Sequence, residues 1–196
     1  MTYEERPRRL LFVVTGGIAA AHSPLWASAL RGHFRAEVRT LITQQASTMV
    51  SARALAGFTG QPVAGPGWDL EHRDGAQHVA LAVWADAVLV YPATLNFCAK
   101  LAAGISDDLA SSVVMSSTAP VVLVPSIPTG AFSKPATRRV LETLYSDGYV
   151  VAGTERAVSV TSGEAEEGGP ASLETAVKLL ANHGMGVGSN QDTSDR

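Results

Sequence analysis

One cysteine, Cys98, is all the thiol this 196-residue chain carries. That excludes an internal disulfide framework and suits a reducing compartment. No apolar run approaches the roughly 18 residues that span a bilayer, and the run Leu10 to Val14 meets glycine too soon to serve as a signal-peptide core. The expected location is cytoplasmic, with no membrane partner. Excess positive charge is missing too: the formal net charge is -3, and the basic stretch Arg6 to Arg9 is too short to alter the balance, so no nucleic-acid partner is expected. There is no H-E-x-x-H motif. His72 and His78 have no cysteine or carboxylate at zinc-like spacing, and His22, His33 and His183 are scattered, so no metal site is expected. The absence of G-x-S-x-G removes the nucleophile elbow of the α/β-hydrolases, and no internal repeat occurs.

What is present is a composition of 46% hydrophobic and 17% charged residues, enough apolar material for one well-buried α/β domain. Apolar, β-branched runs at Leu10 to Val14, Val38 to Ile42, Ala87 to Tyr91, Val121 to Val124 and Tyr149 to Ala152 read as strands. Alanine-rich segments with helical spacing separate them: Ile18 to Leu30, Ala46 to Phe58, Asn96 to Ala103, Asp108 to Met115 and Thr137 to Tyr145. The alternation predicts a single-domain, Rossmann-like, doubly wound parallel sheet with helices on both faces, since the strands are continuously apolar. Ala157 to Gly163 is a further strand candidate before a C-terminal helix at Leu173 to Ala181. The expected domain is 1–183, followed by a disordered polar tail at 184–196. The acidic, glycine-rich Ser162 to Pro170 is expected to be a flap or a plain surface loop.

In such a sheet, ligands gather at the carboxyl ends of the strands, where helix N-termini offer free N–H groups to phosphate. Thr15, Gly16, Gly17 and Ile18 follow the first strand. They form either a phosphate cradle or a tight turn, and the pattern is neither G-x-G-x-x-G nor a Walker loop. Thr43 and Ser47 follow the second strand and suit either a phosphate contact or a helix cap. The third strand runs into Pro92, Ala93, Thr94, Leu95 and Asn96, and His78 opens the short helical segment before it. A histidine there has either a structural role or that of a general base, its unperturbed pKa being about 6.5. Asp107 or Asp108 reads as a helix cap, and Cys98 as core or pocket wall. The loop Val124 to Pro135 holds three prolines and no evident catalytic group.

Together these stretches resemble the homo-oligomeric flavin-containing cysteine decarboxylases, which include lantibiotic-modifying peptidyl-cysteine decarboxylases and phosphopantothenoylcysteine decarboxylase. The similarity runs from about Arg9 to Leu180. "TGGIA" at Thr15 to Ala19 is similar to the family's flavin-phosphate loop, His78 stands at its active-site histidine, "PATLNF" at Pro92 to Phe97 resembles its PASANT motif, and "AGISDDL" follows at the family's spacing. The resemblance implies a flavin, FMN or FAD, held by Thr15, Gly16, Gly17, Ile18, Thr43, Ser47, Pro92, Ala93, Thr94, Asn96 and Asp107. It implies substrate contacts at Asn96, Pro128, Thr161, Ser162 and Gly163. It further implies a homo-oligomer, a trimer often assembled into dodecamers; the apolar Trp26, Trp68 and Phe132 suit either subunit contacts or the core.

Two departures bear on function. The family's PxMNxxMW motif falls on "PSIPTGAF", where Pro128 takes the asparagine position and Ala131 and Phe132 replace Met-Trp. The flap junction "VTSGEAEEGG" lacks the cysteine with which phosphopantothenoylcysteine decarboxylases reduce their enethiol intermediate. This favours the peptidyl-cysteine branch: His78 helps deprotonate the thiol of a precursor peptide's C-terminal cysteine, hydride leaves Cβ for the flavin, and CO2 loss gives an enethiol on the way to aminovinyl-cysteine in lantibiotic biosynthesis. The alternatives are a phosphopantothenoylcysteine decarboxylase or flavin prenyltransferase-like enzyme on the same fold, or a non-catalytic flavin-binding subunit.

Overall fold

The computed structural model describes residues 8–69, 75–158 and 162–183. Strands β1 (Arg9–Val14), β2 (Glu37–Ile42), β3 (Val63–Ala64), β4 (Ala87–Thr94), β5 (Val121–Ser126) and β6 (Val150–Val151) form one parallel sheet in the order β3-β2-β1-β4-β5-β6. The central strand β1 lies between β2 and β4, with Phe12 opposite Thr40 on one side and Leu89 on the other. Period-2 alternation sends Leu10, Phe12 and Val14 to one face and Leu11 and Val13 to the other, and all five are completely buried. Fully burying each of the larger side chains contributes about 1.5–3 kcal/mol, so two apolar layers hold the strand in place.

Helices α1 (Ser23–Phe34), α2 (Ala52–Thr59) and α8 (Leu173–His183) cover the first face through Trp26, Leu30, Leu55, Ala176 and Leu180. Helices α3 (Gln77–Trp84), α4 (Leu95–Ala102), α5 (Leu109–Ser116) and α7 (Pro135–Ser146) cover the second through Ala82, Phe97, Leu101, Val113 and Leu144. Chain order reverses between β1 and β4, because β1 connects toward β2 and β4 toward β5. That reversal opens a crevice at the carboxyl ends of these two strands.

The structure differs from the sequence expectation where local chemistry interrupts a periodic run. Ile18 to Leu30 is not one helix: a short 3-10 helix, Ile18–His22, precedes α1, whose first turn carries Pro24. Ala46 to Phe58 divides likewise into a 3-10 turn, Ala46–Thr48, and α2, which starts where the Ser51 hydroxyl accepts the Ala54 N–H at 3.4 Å. Residues Ser162 to Pro170 are not irregular, for β8 (Ala165–Gly169) lies within them and pairs antiparallel with β7 (Glu155–Val158) in a separate two-stranded sheet. The expected last strand therefore does not join the main sheet. This hairpin docks on the proline-rich loop, where the Ile127 N–H donates to Gly168 O at 2.9 Å. Gly168 has φ of +92°, and a side chain there would run into Ile127 O, so glycine is required. A one-turn helix, α6 (Thr129–Phe132), occupies the rest of that loop.

No helix among the described residues is long and apolar enough to cross a membrane. The expected tail at 184–196 lies outside the described residues.

Candidate active site

The first contributor to the crevice is the turn after β1. The Thr15 hydroxyl is buried and donates to Pro92 O at 2.5 Å, while its oxygen accepts the Thr94 N–H at 3.1 Å. Thr15 thus ties the end of β1 to the end of β4, and any contact it makes to a ligand would come from its backbone. After it, the Gly17 N–H turns back to Thr15 O at 2.9 Å, and the first bond of the 3-10 helix runs from the Ala20 N–H to Gly17 O at 2.8 Å. The N–H groups of Ile18 and Ala19 precede that first bond and have no intrahelical acceptor, as at any helix start.

The two glycines have a steric reason independent of any ligand. A Cβ on Gly16 would overlap Gln45, and one on Gly17 would lie 3.2 Å from the Pro92 ring. Three loops therefore converge around a backbone with no side chains of its own, a concave surface lined by amide groups. Such a surface fits the phosphate of a nucleotide cofactor.

Thr43 and Ser47 act as local caps: Thr43 Oγ1 accepts the Ala46 N–H at 3.3 Å, and Ser47 Oγ donates to Gln44 O at 2.8 Å. Both are half-buried beside the Gly16 turn, since Gln45 lies between them in sequence. Thr94 caps α4 through the Phe97 N–H at 3.4 Å, Ala93 and Pro92 are buried, and Asn96 is exposed on the first turn of that helix.

His78 is on the first turn of α3, which leads into the amino end of β4 through Ala85 and Asp86. Because α3 runs antiparallel to β4, its N-terminus lies toward the sheet's carboxyl edge, the same edge as the glycine turn. The His78 ring is half-buried, and its Nδ1 is enclosed with no hydrogen-bond partner among the described residues. Trp68 meets it in a T-shaped contact, ring centroids 5.5 Å apart and planes at 87°. His72 and Thr161 lie outside the described residues.

Several expected roles are resolved by position. Asp108 is the cap of α5, accepting the Ser111 N–H at 2.7 Å within a capping box. Asp107 instead pairs with Lys100 at 2.8 Å, and the hydrogen bond from Lys100 holds its carboxyl below the ordinary carboxylate range. Asp107 is exposed there, so flavin contact would require it to share its carboxylate with Lys100. Cys98 is core: its thiol is fully buried against Ala93 O, and desolvation pushes it up to about 12, which makes the thiolate inaccessible at neutral pH. Trp26 is not at a surface, being stacked on Tyr91 at 3.5 Å within the core. Pro128 is exposed and begins α6, its carbonyl accepting the Ala131 and Phe132 N–H groups at 2.8 and 2.9 Å. Ser162 donates to Glu166 at 2.6 Å and Gly163 has φ of +75°, so both shape the hairpin turn.

Thr129 and Glu166 were missed by sequence reasoning, and Trp68 was singled out there without its contact to His78. Thr129 Oγ1 lies 3.0 Å from Glu166 Oε2 and 2.8 Å from Glu167 O, joining the proline loop to the hairpin over 37 residues of chain. No local pattern announces such a pairing. A shallow cleft of about 510 Å³, bordered by Met115, Pro120, Asp147 and Tyr149, lies at the opposite edge of the sheet, and none of the candidate residues lines it.

A switch-point crevice and an amide-lined cradle on a sheet ordered 3-2-1-4-5-6 define a doubly wound, Rossmann-like protein whose crevice suits a nucleotide. Comparison with known proteins sharpens this, for the chain belongs to the Flavoprotein family, which it matches over residues 1–183. Flavin is accordingly its cofactor, and the cradle residues fit the phosphate end of that group. The crystal structure of the FMN-dependent cysteine decarboxylase SpaF superposes with a TM-score of 0.78 at 32% identity, covering 88% of this chain and 95% of that one. TvaF, an FMN-dependent cysteine decarboxylase from thioviridamide biosynthesis, is also 32% identical, with a TM-score of 0.69 and 74% of this chain covered, 89% of its own. Among curated proteins, the coenzyme A biosynthesis bifunctional protein CoaBC of Escherichia coli K12 is 32% identical over 148 residues, 76% of this chain. The chain spans 36% of the length of that relative. The fold is shared with the FMN-dependent cysteine decarboxylases to which the chain is similar.

Proposed function

We propose that this protein catalyses oxidative decarboxylation of the C-terminal cysteine of a ribosomal precursor peptide, giving an enethiol on the way to aminovinyl-cysteine in lantibiotic biosynthesis. The observation that carries the reading is that the glycine turn, the Pro92 to Asn96 loop and His78 come together at one sheet edge in a chain 32% identical to SpaF across 95% of the latter. When bound, the flavin, FMN or FAD, supplies the acceptor for a hydride from the cysteine Cβ.

The chain's own residues bind and orient. The backbone N–H groups of Ile18 and Ala19 hold the phosphate, and Thr15 keeps the β1 and β4 loops at the separation that shapes the cradle. His78 lies next to the substrate thiol and favours its ionised form. Pro128 removes the side-chain amide expected at that position, so the terminal carboxylate is oriented by Asn96 and by loop N–H groups, with Thr161, Ser162 and Gly163 closing over the peptide. The sole thiol, Cys98, is buried in the core, so no thiol stands at the site to deliver the proton that saturating the enethiol requires, and the product stays unsaturated. Self-association, as a trimer or dodecamer, would cover Val79 and Val83, exposed by 45% and 71% beside His78 on α3.

The match to CoaBC favours a second substrate, phosphopantothenoylcysteine. Mass spectrometry separates the two. Loss of CO2 together with two hydrogens from a peptide ending in cysteine supports the proposal. Turnover of phosphopantothenoylcysteine alone selects the second reading, and an unchanged pair of substrates with flavin bound refutes both.

A further inference from the structure

The contact between Trp68 and His78 goes deeper than the reading above and rests on it for the identity of the substrate thiol. Trp68 is a large aromatic side chain left 47% exposed, so burial in the core does not explain its place. Two contacts pin its loop to the first turn of α3. The Trp68 ring stands T-shaped to the His78 imidazole at 5.5 Å, and the next residue's N–H, at Asp69, donates to Gln77 Oε1 at 2.9 Å. Aromatic pairs at such separations are directional, so the contact holds the imidazole in one orientation.

That orientation decides where the proton sits. His78 Nδ1 is enclosed and has no hydrogen-bond partner among the described residues. A buried N–H without an acceptor loses the strong bond it had to water and is rarer in folded proteins than an under-used acceptor. The neutral ring therefore keeps its bare lone pair at Nδ1 and its proton on Nε2.

We infer that Trp68 is a positioning residue that holds His78 as the neutral Nε2–H imidazole, so that His78 donates a hydrogen bond to the substrate thiolate and does not itself take the thiol proton. The proton then leaves to solvent, and the thiolate is stabilised by a charge-assisted bond.

The test uses the flavin-loaded protein. Long-range 1H–15N spectra of 15N-labelled protein are expected to show His78 Nδ1 unprotonated and Nε2 protonated, with Trp68→Ala mixing the two tautomers and Trp68→Phe restoring the original pattern. A proton on Nδ1 in the wild type, or His78 signals indifferent to Trp68→Ala, overturns the inference. Kinetics provide the second arm. A glutamine side chain can place an amide N–H where Nε2 stands but cannot accept a proton, whereas asparagine reaches only the Nδ1 position. Both variants are expected to lose activity, His78→Gln retaining roughly tenfold more kcat than His78→Asn; equal losses overturn the donor role. Trp68→Ala is expected to lower kcat roughly tenfold with little change in KM, and a change in KM alone refutes positioning. If the wild type processes no cysteinyl substrate, the proposed function fails, and the spectra still decide the tautomer.

Discussion

Replacing Thr15 by valine tests the joint on which the cradle depends. Valine matches threonine in shape, so no cavity opens, and only the hydroxyl is lost. In the structure that hydroxyl donates to Pro92 O at 2.5 Å and accepts the Thr94 N–H at 3.1 Å, in a residue 2% exposed. Thr15→Val removes both bonds and leaves a buried carbonyl and a partly buried N–H without partners. At about 1–3 kcal/mol for an unpaired buried group, and with the solvent side of Thr94 partly compensated, the loss sums to about 2–4 kcal/mol. With a urea slope of about 2 kcal/mol/M, the unfolding midpoint falls by about 1–2 M. Flavin affinity, followed by quenching of flavin fluorescence on titration, falls as well, because the β1 and β4 loops lose their link. Thr15→Ser is the control: it keeps the hydroxyl and drops one methyl, a cost of about 1 kcal/mol. A Thr15→Val protein within about 0.5 kcal/mol of wild type, as surface substitutions usually are, would refute the view that this hydroxyl joins the two strands.

Two further substitutions probe polar groups elsewhere. Thr40 is 1% exposed on β2 between Val38 and Ile42, and its hydroxyl has no partner among the described residues, so Thr40→Val is expected to raise stability by about 1 kcal/mol in urea unfolding; a destabilised variant contradicts the assignment. Lys100→Met removes the partner of Asp107, whose carboxyl is held below its ordinary value by the Lys100 hydrogen bond. A depressed carboxylate adds stability above its unfolded pKa and loses it as pH falls through the folded one. The stability difference between wild type and Lys100→Met is therefore present at neutral pH and closes in acid, and a difference that widens on acidification refutes the pairing.

Much of this architecture is determined by the sequence alone. Continuous apolar runs such as Leu10 to Val14 can be satisfied only when both faces of a strand are covered, and their alternation with alanine-rich segments leaves a doubly wound parallel sheet as the solution. The carboxyl-edge location of the glycine turn and of Pro92 to Asn96 follows from the same order, because a loop after a parallel strand can lie nowhere else. What the tertiary structure decided are the pairings between residues distant in sequence. Thr15 meets Pro92 and Thr94 across 77 and 79 positions, Thr129 meets Glu166 across 37, and Gly16 is glycine because Gln45 packs against it. The histidine was legible as a residue type near neutrality, but its enclosed Nδ1 and its Trp68 neighbour were not. Periodicity reports only which face of an element a side chain occupies. Which loop from the far end of the chain lies against it is set by sheet order and close packing, and neither is written in any local stretch.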